Sequence, residues 1–357
     1  MTLTSRAEVS LSHLPSYLDS IVDRLGSYHP EMVRLSERAE FRYPFGLAAL
    51  DFPQGRLVMT AEAPDTMGLA RVKDLVAVAV QLYAKSENPR IVWTGDLAGE
   101  TRLEQFRLMR VTAKHYVTPR MLRVRLAGED LVRFGLFGGM HIRMLFATPE
   151  NPDPVWPVMG ENGLPSWPSE ARRPVSRAYT VRTLDAEAGW IDVDFVMHED
   201  HGVASSWAVH AELGDTVGVL GPVGRPLKSA DWYVLGADET GLPAVGRLLE
   251  SLSPDTKGIA YLEVENAAEE QELKRPDGFD IRWLHRNGDP TDTVTGFSDL
   301  VCNQSWPDRD KTFGWFAAEA SVAKKVREHW RVTRGLGRDR TLVAGYWQRD
   351  STGFMAG

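Results

Sequence analysis

The chain has 357 residues, 43% of them apolar and 25% charged, with a formal net charge of −8. That is an ordinary globular composition at a length that implies two or three domains, and the negative balance speaks against sequence-independent binding to nucleic acid or anionic lipid. A single cysteine, Cys302, excludes an internal disulfide and any zinc or iron–sulfur site built on several thiolates.

The opening MTLTSRAEVS holds no apolar run of signal-peptide length, and no stretch reaches the ~20 apolar residues of a membrane span, so a cytoplasmic protein is expected. Residues 1–100 read as a small α+β domain. SRAEVSL alternates as a strand does, and Leu14, Leu18, Ile21, Val22 and Leu25 then share one helical face, with Pro15 in the first turn and Pro30 beyond the end. Two strand-like pieces, RAEFRYPFGLAALDF and GRLVMTAEA, precede a second amphipathic helix in TMGLARVKDLVAVAVQLYAK, and RIVWTGD closes the unit. Residues 102–226 read as an antiparallel β-barrel. QFRLMRVTAKHYVTPRMLRVRLAG is strand–turn–strand; GMHIRMLFA, SRAYTVRTL and the alternating GWIDVDFVMH are further strands; a Pro/Trp-rich loop fills 148–174. A short helix is expected from GVASSWAVH, and GDTVGVLGPVG ends the region. Residues 228–357 alternate strand and helix. DWYVLGAD, GIAYLEVEN, FDIRWLHR, KTFGWFAAE and RTLVAGYW are the strands, and ETGLPAVGRLLESL and ASVAKKVREHWRVTRG the helices, which predicts a doubly wound parallel sheet.

Five stretches carry polar groups that a core does not need. In SRAYTVRT, strand alternation puts Arg177 and Tyr179 on one face and Thr180 and Arg182 on the other. Guanidinium on phosphate, phenol on a flat ring and threonine on a ring nitrogen would explain that pattern; a surface strand with solvated arginines suits the spacing as well. In HEDHGVASSWA, His198 ends a strand, and Gly202, Ala204, Ser205 and Ser206 are small residues at a helix start, where free N–H groups and the positive dipole end favour an anion; a plain Ser-capped helix has the same signature. The spacing of His198 and His201 fits no zinc motif. Asp238, Glu239 and Thr240 sit at the tip of the first strand of the doubly wound unit, where they either cap the next helix or meet a ligand. Glu319 lies at a second strand-to-helix switch, and GYWQRD places Tyr346, Trp347 and Arg349 near the C-terminus.

Five segments in order, RAYTVR, DFVMHEDHGVASSWA, GADETGLPAVGRLLE, WFAAEASVAKKVREHW and AGYW, resemble the siderophore-interacting protein family, flavin-dependent ferric-siderophore reductases of the ferredoxin–NADP reductase superfamily. The resemblance covers about residues 104–350 and implies an FAD-binding barrel at 102–226 followed by an NAD(P)H-binding domain at 228–357. It implies that Arg177, Tyr179, Thr180 and Arg182 line the flavin and its diphosphate, with Tyr179 and Thr180 at the reacting ring. His198, Gly202, Ala204, Ser205 and Ser206 complete the FAD site, Asp238, Glu239 and Thr240 approach the nicotinamide, and Glu319, Tyr346 and Trp347 border the ring. NADPH or NADH is the implied donor, with ferredoxin as the alternative, and a ferric siderophore is the implied substrate of a monomeric enzyme. The family pattern has alanine where Gly241 stands, glycine where Ala318 stands, and a basic residue where Gln348 stands. Arg172, Arg173, Lys228 and Arg349 are the remaining candidate counter-charges for an anionic iron complex. A general flavin reductase and a non-catalytic carrier of flavin and ferric siderophore are the rival readings. Residues 1–100 resemble a small domain family of unknown function, so their role stays open.

Overall fold

The structure, a computed structural model, describes residues 2–136, 139–198 and 202–349. The first unit contains strands β1 (Leu3–Ser10), β2 (Glu31–Arg34), β3 (Arg38–Tyr43), β4 (Gly46–Asp51), β5 (Arg56–Ala63) and β6 (Thr94–Gly95), with helices α1 (Leu14–Gly26) and α2 (Thr66–Tyr83). The strands form one sheet in the order β2-β3-β4-β5-β1-β6. On α1 the residues Leu14, Ile21, Val22 and Leu25 are buried, and α2 starts at Asp65, whose carboxylate accepts from the Gly68 N–H at 2.7 Å. Two expectations shift here. RAEFRYPFGLAALDF folds back as the hairpin β3–β4 around Pro44, and RIVWTGD contributes only the two residues of β6. Trp93 of that segment instead donates its indole N–H to the Asn162 carbonyl at 2.8 Å. Ala70 of α2 joins an apolar cluster with Leu145 and Leu220, which fastens this unit to the next.

The second unit is a closed antiparallel barrel in the order β12-β13-β8-β7-β14-β9. Its strands are β7 (Phe106–Thr118), β8 (Met121–Ala127), β9 (His141–Phe146), β12 (Val175–Asp185), β13 (Trp190–Val196) and β14 (Thr216–Val223). Helices α3 (Arg133–Leu136) and α4 (Val203–His210) lie between them, and the long loop carries the small pair β10 (Val158–Met159) and β11 (Pro165–Ser166). Inward residues such as Ile142, Met144, Val181, Val193 and Phe195 fill the core. On the outer face Asp194 and Asp192 lie directly opposite Arg123 and Arg125 and pair with them in two-pronged bonds of 2.6–2.9 Å.

The third unit is a parallel sheet in the order β17-β16-β15-β18-β19. It comprises β15 (Trp232–Ala237), β16 (Lys257–Val264), β17 (Phe279–His285), β18 (Thr312–Glu319) and β19 (Thr341–Trp347), with α5 (Leu242–Ser251), α6 (Phe297–Asn303) and α7 (Ala320–Glu328). Every residue of β18 is buried, as expected for a strand covered on both faces. The expected long helix after β18 stops at Glu328 and widens into a π-helical turn, His329–Thr333, that seats the fully buried Trp330. Arg247 of α5 donates to the carbonyls of Val181 (2.8 Å) and Phe134 (2.9 Å), locking this sheet unit to the barrel. Among the described residues no helix is long and apolar enough to cross a membrane.

Candidate active site

The barrel half of the site is built on β12 and α4. Residues paired directly across strands share a face, so Tyr179, opposite Ile142, turns toward the core, while Thr180, opposite His141, turns outward. The Tyr179 ring lies 4.4 Å from Phe195, which in turn packs on Trp207 of α4. This aromatic row links β12 through Phe195 of β13 to α4. Burial raises the Tyr179 phenol above its ordinary range. Arg177 is half-buried and donates to the Ser176 carbonyl at 2.8 Å. Gly202 caps α4 without a side-chain acceptor for the first-turn N–H groups, and a Cβ on Gly202 would meet nothing within 4 Å. Ser205 turns its hydroxyl back to the Gly202 carbonyl at 3.1 Å. Among the described residues, Gly202, Ala204, Ser205 and Ser206 therefore leave the first-turn backbone donors and the positive end of the helix dipole without a side-chain acceptor. His198 is exposed at the end of β13; Glu199, Asp200 and His201 lie outside the described residues.

The other half is organised by one carboxylate. Asp238, buried just beyond β15, accepts through Oδ1 from the Thr240 hydroxyl and N–H (2.9 Å), and through Oδ2 from the Glu319 N–H (3.1 Å) and Trp347 Nε1 (2.7 Å). It thereby ties together the tips of β15, β18 and β19, the two sides of the switch point at which a doubly wound sheet takes its ligand. Desolvation, and after it the charge of Glu239, pushes the Asp238 carboxyl up to about 6.

Tyr346 joins the halves. Ala318 pairs with Gly345 and Glu319 with Trp347, so Tyr346 is the extra residue of a β-bulge, and its phenol is re-aimed onto His141 Nε2 across the seam. Burial, and after it the nearby Arg247, pushes His141 down to about 4, while burial raises the Tyr346 phenol. Both shifts favour the uncharged pair, a neutral imidazole hydrogen-bonded to a protonated phenol.

Several expectations need correction. Arg182 is not a solvated partner of Arg177 on a regular strand. The register shift between Val181 and Thr183 makes it a bulge residue, and its guanidinium pairs with Glu250 of α5 at 2.8 and 3.1 Å. Glu239 does not face the crevice free; Arg286 holds both its oxygens at 2.6 Å. Glu319 caps α7 by accepting from the Ser321 N–H (2.6 Å) and hydroxyl. Burial opposes its charge, but these donors hold it below the ordinary range. The four candidate counter-charges do not line one pocket. Lys228 pairs with Asp339, before the start of β19 (3.4 Å), whereas Arg349 follows its end and donates its N–H to Glu319 at 3.3 Å. A seven-residue strand separates them, roughly 20 Å at 3.3 Å per residue. Arg172 is tied to the Asp153 carbonyl (3.1 Å through Nε), and Arg173 stacks 4.5 Å over Trp167 beside Glu170. Gly241 stands where a Cβ would meet the Ala317 carbonyl at 2.6 Å, so this chain has no room there for the alanine of the family pattern.

Two residues were missed. His141 and Arg143 lie on the outward face of β9 beside Thr180 and Ala178. Arg143 is half-buried and makes no hydrogen bond or ion pair among the described residues. Two polar side chains at alternate positions of an apolar strand, H-I-R in GMHIRMLFA, were the available signal.

A closed antiparallel barrel carrying Arg177 and α4, joined across a seam to the strand tips of a parallel sheet, defines a protein that holds a cofactor between a barrel unit and a sheet unit. Its donor set, one guanidinium plus free helical N–H groups next to an aromatic strand, suits a dinucleotide diphosphate and a flat ring, so the residues present fit FAD. Comparison with known proteins agrees. The siderophore-interacting FAD-binding domain matches residues 110–226, and the siderophore-interacting protein domain matches 230–350. A ferric vibriobactin reductase of Vibrio cholerae is 31% identical over 251 residues, covering 68% of this chain and 89% of the relative. An NADPH-dependent ferric-chelate reductase of Escherichia coli is 32% identical, covering 68% of this chain and 93% of the relative. A siderophore utilization protein from T. fusca is similar in structure at 38% identity and a TM-score of 0.62, covering 70% of this chain and 95% of that one. The chain belongs to the siderophore-interacting protein family.

Proposed function

We propose that this protein reduces ferric siderophores, taking electrons from NAD(P)H through FAD and releasing Fe(II). The observation that carries the reading is the seam itself: the outward face of β12 and β9 is joined through His141 and Tyr346 to the switch point of the parallel sheet. A ring cofactor held there touches both a barrel and a nicotinamide crevice. Bound FAD supplies hydride acceptance from a nicotinamide and one-electron delivery to Fe(III).

This chain's residues bind and orient. Arg177 and the N–H groups of the first turn of α4, kept approachable by Gly202, Ala204, Ser205 and Ser206, hold the diphosphate, with His198 at its edge. Thr180 borders the ring from the outward face of the barrel, with Tyr179 packed behind the same strand, and Tyr346 and Trp347 border it from the sheet. Asp238 and Thr240 shape the nicotinamide's approach. The substrate carries its own iron, so the protein needs only to attract an anionic complex. Arg143, with Arg172 and Arg173 at the start of β12 and Arg349 across the seam, provides that charge. Reduction to Fe(II) weakens the hold of hard oxygen ligands, and the metal leaves. The division into a flavin barrel at 102–226 and a nicotinamide domain at 228–357 belongs to the same reading, as does a monomeric, cytoplasmic enzyme. Sedimentation of the purified protein checks the monomer.

The test is anaerobic. FAD-loaded protein is mixed separately with NADH, NADPH and reduced ferredoxin, and the flavin absorbance is followed. Bleaching by a nicotinamide is expected. Bleaching by ferredoxin alone overturns the donor, and a protein that stays colourless after FAD is added overturns the whole reading.

A further inference from the structure

We infer that Glu265 makes this reductase select NADH over NADPH; the inference rests on the nicotinamide step proposed above. In a doubly wound sheet the dinucleotide lies along the carboxyl ends of the strands, with its adenine ribose at the tip of the strand next to the first. A carboxylate there accepts from the ribose 2′-hydroxyl, whereas an available guanidinium takes the 2′-phosphate of NADPH. Here the first strand is β15, its neighbour β16 ends at Val264, and the next residue is Glu265. Its Oε2 lies 3.2 Å from both Arg286 Nη2 and Arg120 Nη1. Its Oε1 makes no hydrogen bond among the described residues and is left to accept one.

The guanidiniums at this tip are already committed. Arg286 is held two-pronged by Glu239 at 2.6 Å, touches Glu265, and has Glu263 at 4.0 Å. Glu263 is fully buried and accepts from the Asp292 N–H at 2.9 Å and from the hydroxyls of Thr291 and Thr295, so it stays in place. Arg120 pairs with Glu265, and its N–H donates to Glu269 at 3.1 Å. His285, at the end of β17, is hydrogen-bonded to Glu270 at 2.8 Å. Three carboxylates, Glu239, Glu263 and Glu265, thus face Arg286, and Glu265 also pairs with Arg120. A phosphate monoester brings about two further negative charges and meets no unpaired guanidinium, while a ribose hydroxyl meets a carboxylate oxygen that is ready to accept.

Two readouts test this on the FAD-loaded protein. Calorimetric titration with 5′-AMP and with adenosine 2′,5′-bisphosphate probes the ribose contact without turnover, and kcat/KM is measured for NADH and NADPH. At the strength of one hydrogen bond to a charged group, the wild type is expected to favour 5′-AMP and NADH by about tenfold or more, and Glu265→Gln to shrink both ratios at least several-fold. Equal affinities, or preference for the bisphosphate, in the wild type overturn the inference whether or not the variant folds. So does an unchanged ratio in a folded variant. Efficient reduction by both nicotinamides with equal fragment affinities refutes only the selectivity. Failure of both to bleach the flavin refutes the nicotinamide step itself.

Discussion

The two halves of the site satisfy their polar groups in opposite ways. On the barrel side, α4 starts without a side-chain cap, Gly202 faces open space, and Arg143 makes no ion pair among the described residues. On the sheet side, Asp238 receives donors from three strand tips, Glu239 is closed by Arg286, and Glu319 is spent on the first turn of α7. A polar group left open awaits a ligand; a polar group closed internally holds a shape. On the proposed function, the barrel supplies cofactor affinity and the sheet a preformed edge against which the cofactor and donor are placed.

The largest effect should come from breaking the closed half. Asp238→Ala strands the Trp347 indole, the Glu319 N–H and the Thr240 N–H, and should cost about 3 kcal/mol in urea unfolding of the apo-protein. A loss under about 1 kcal/mol would show that these donors find water instead. On the open half the effect to read is cofactor affinity. Arg177→Ala should weaken FAD binding by about 10- to 100-fold, the worth of a charge-assisted phosphate contact. Normal FAD occupancy would contradict the placement of the diphosphate.

Arg182→Ala sharpens the comparison, because the sequence alone assigns it to the same diphosphate. Its pairing with Glu250 predicts a stability loss of about 1–2 kcal/mol and FAD affinity within about twofold of wild type. The reverse result would restore the shared site.

These contrasts also mark how far the residues could be read unaided. Barrel, doubly wound sheet and the α4 turn were legible because alternation, glycine turns and strand–helix alternation are local. The two β-bulges were not. Each inserts one residue and turns a side chain off the expected face, sending Arg182 to α5 and Tyr346 to β9. Nor could spacing reveal that Arg286 would neutralise Glu239 from the tip of a different strand, or that Lys228 and Arg349 would fall at opposite ends of β19. His141 was hidden inside an apolar strand whose partner arrives near the C-terminus.

Acid probes the seam more gently. His141 is depressed to about 4, so its contribution is full above its ordinary 6.5 and is lost as pH falls through 4. Asp238 is raised to about 6, so its contribution is present below its ordinary 3.8 and is lost as pH rises through 6. The two oppose each other across the same window. His141→Gln removes the first, so its unfolding midpoint should fall less between pH 7 and pH 4.5 than that of the wild type. An identical fall in both would place the buried imidazole elsewhere. The smallest effects concern substrate charge: Arg143→Gln should raise the KM for a ferric siderophore several-fold, and Lys228→Ala should leave it unchanged. Equal responses would mean that net charge, and not position, attracts the complex.

The central claim is that electrons entering at the sheet leave as Fe(II) at the barrel face. It is tested most directly by anaerobic steady-state turnover of a ferric hydroxamate and a ferric catecholate complex with each nicotinamide, with an Fe(II)-specific chelator as the trap. The account predicts trapped Fe(II) that depends on both FAD and nicotinamide and is lost in Arg177→Ala. Binding of the ferric complex with no trapped Fe(II), while the flavin is fully reduced, would contradict it and leave a carrier in place of a reductase.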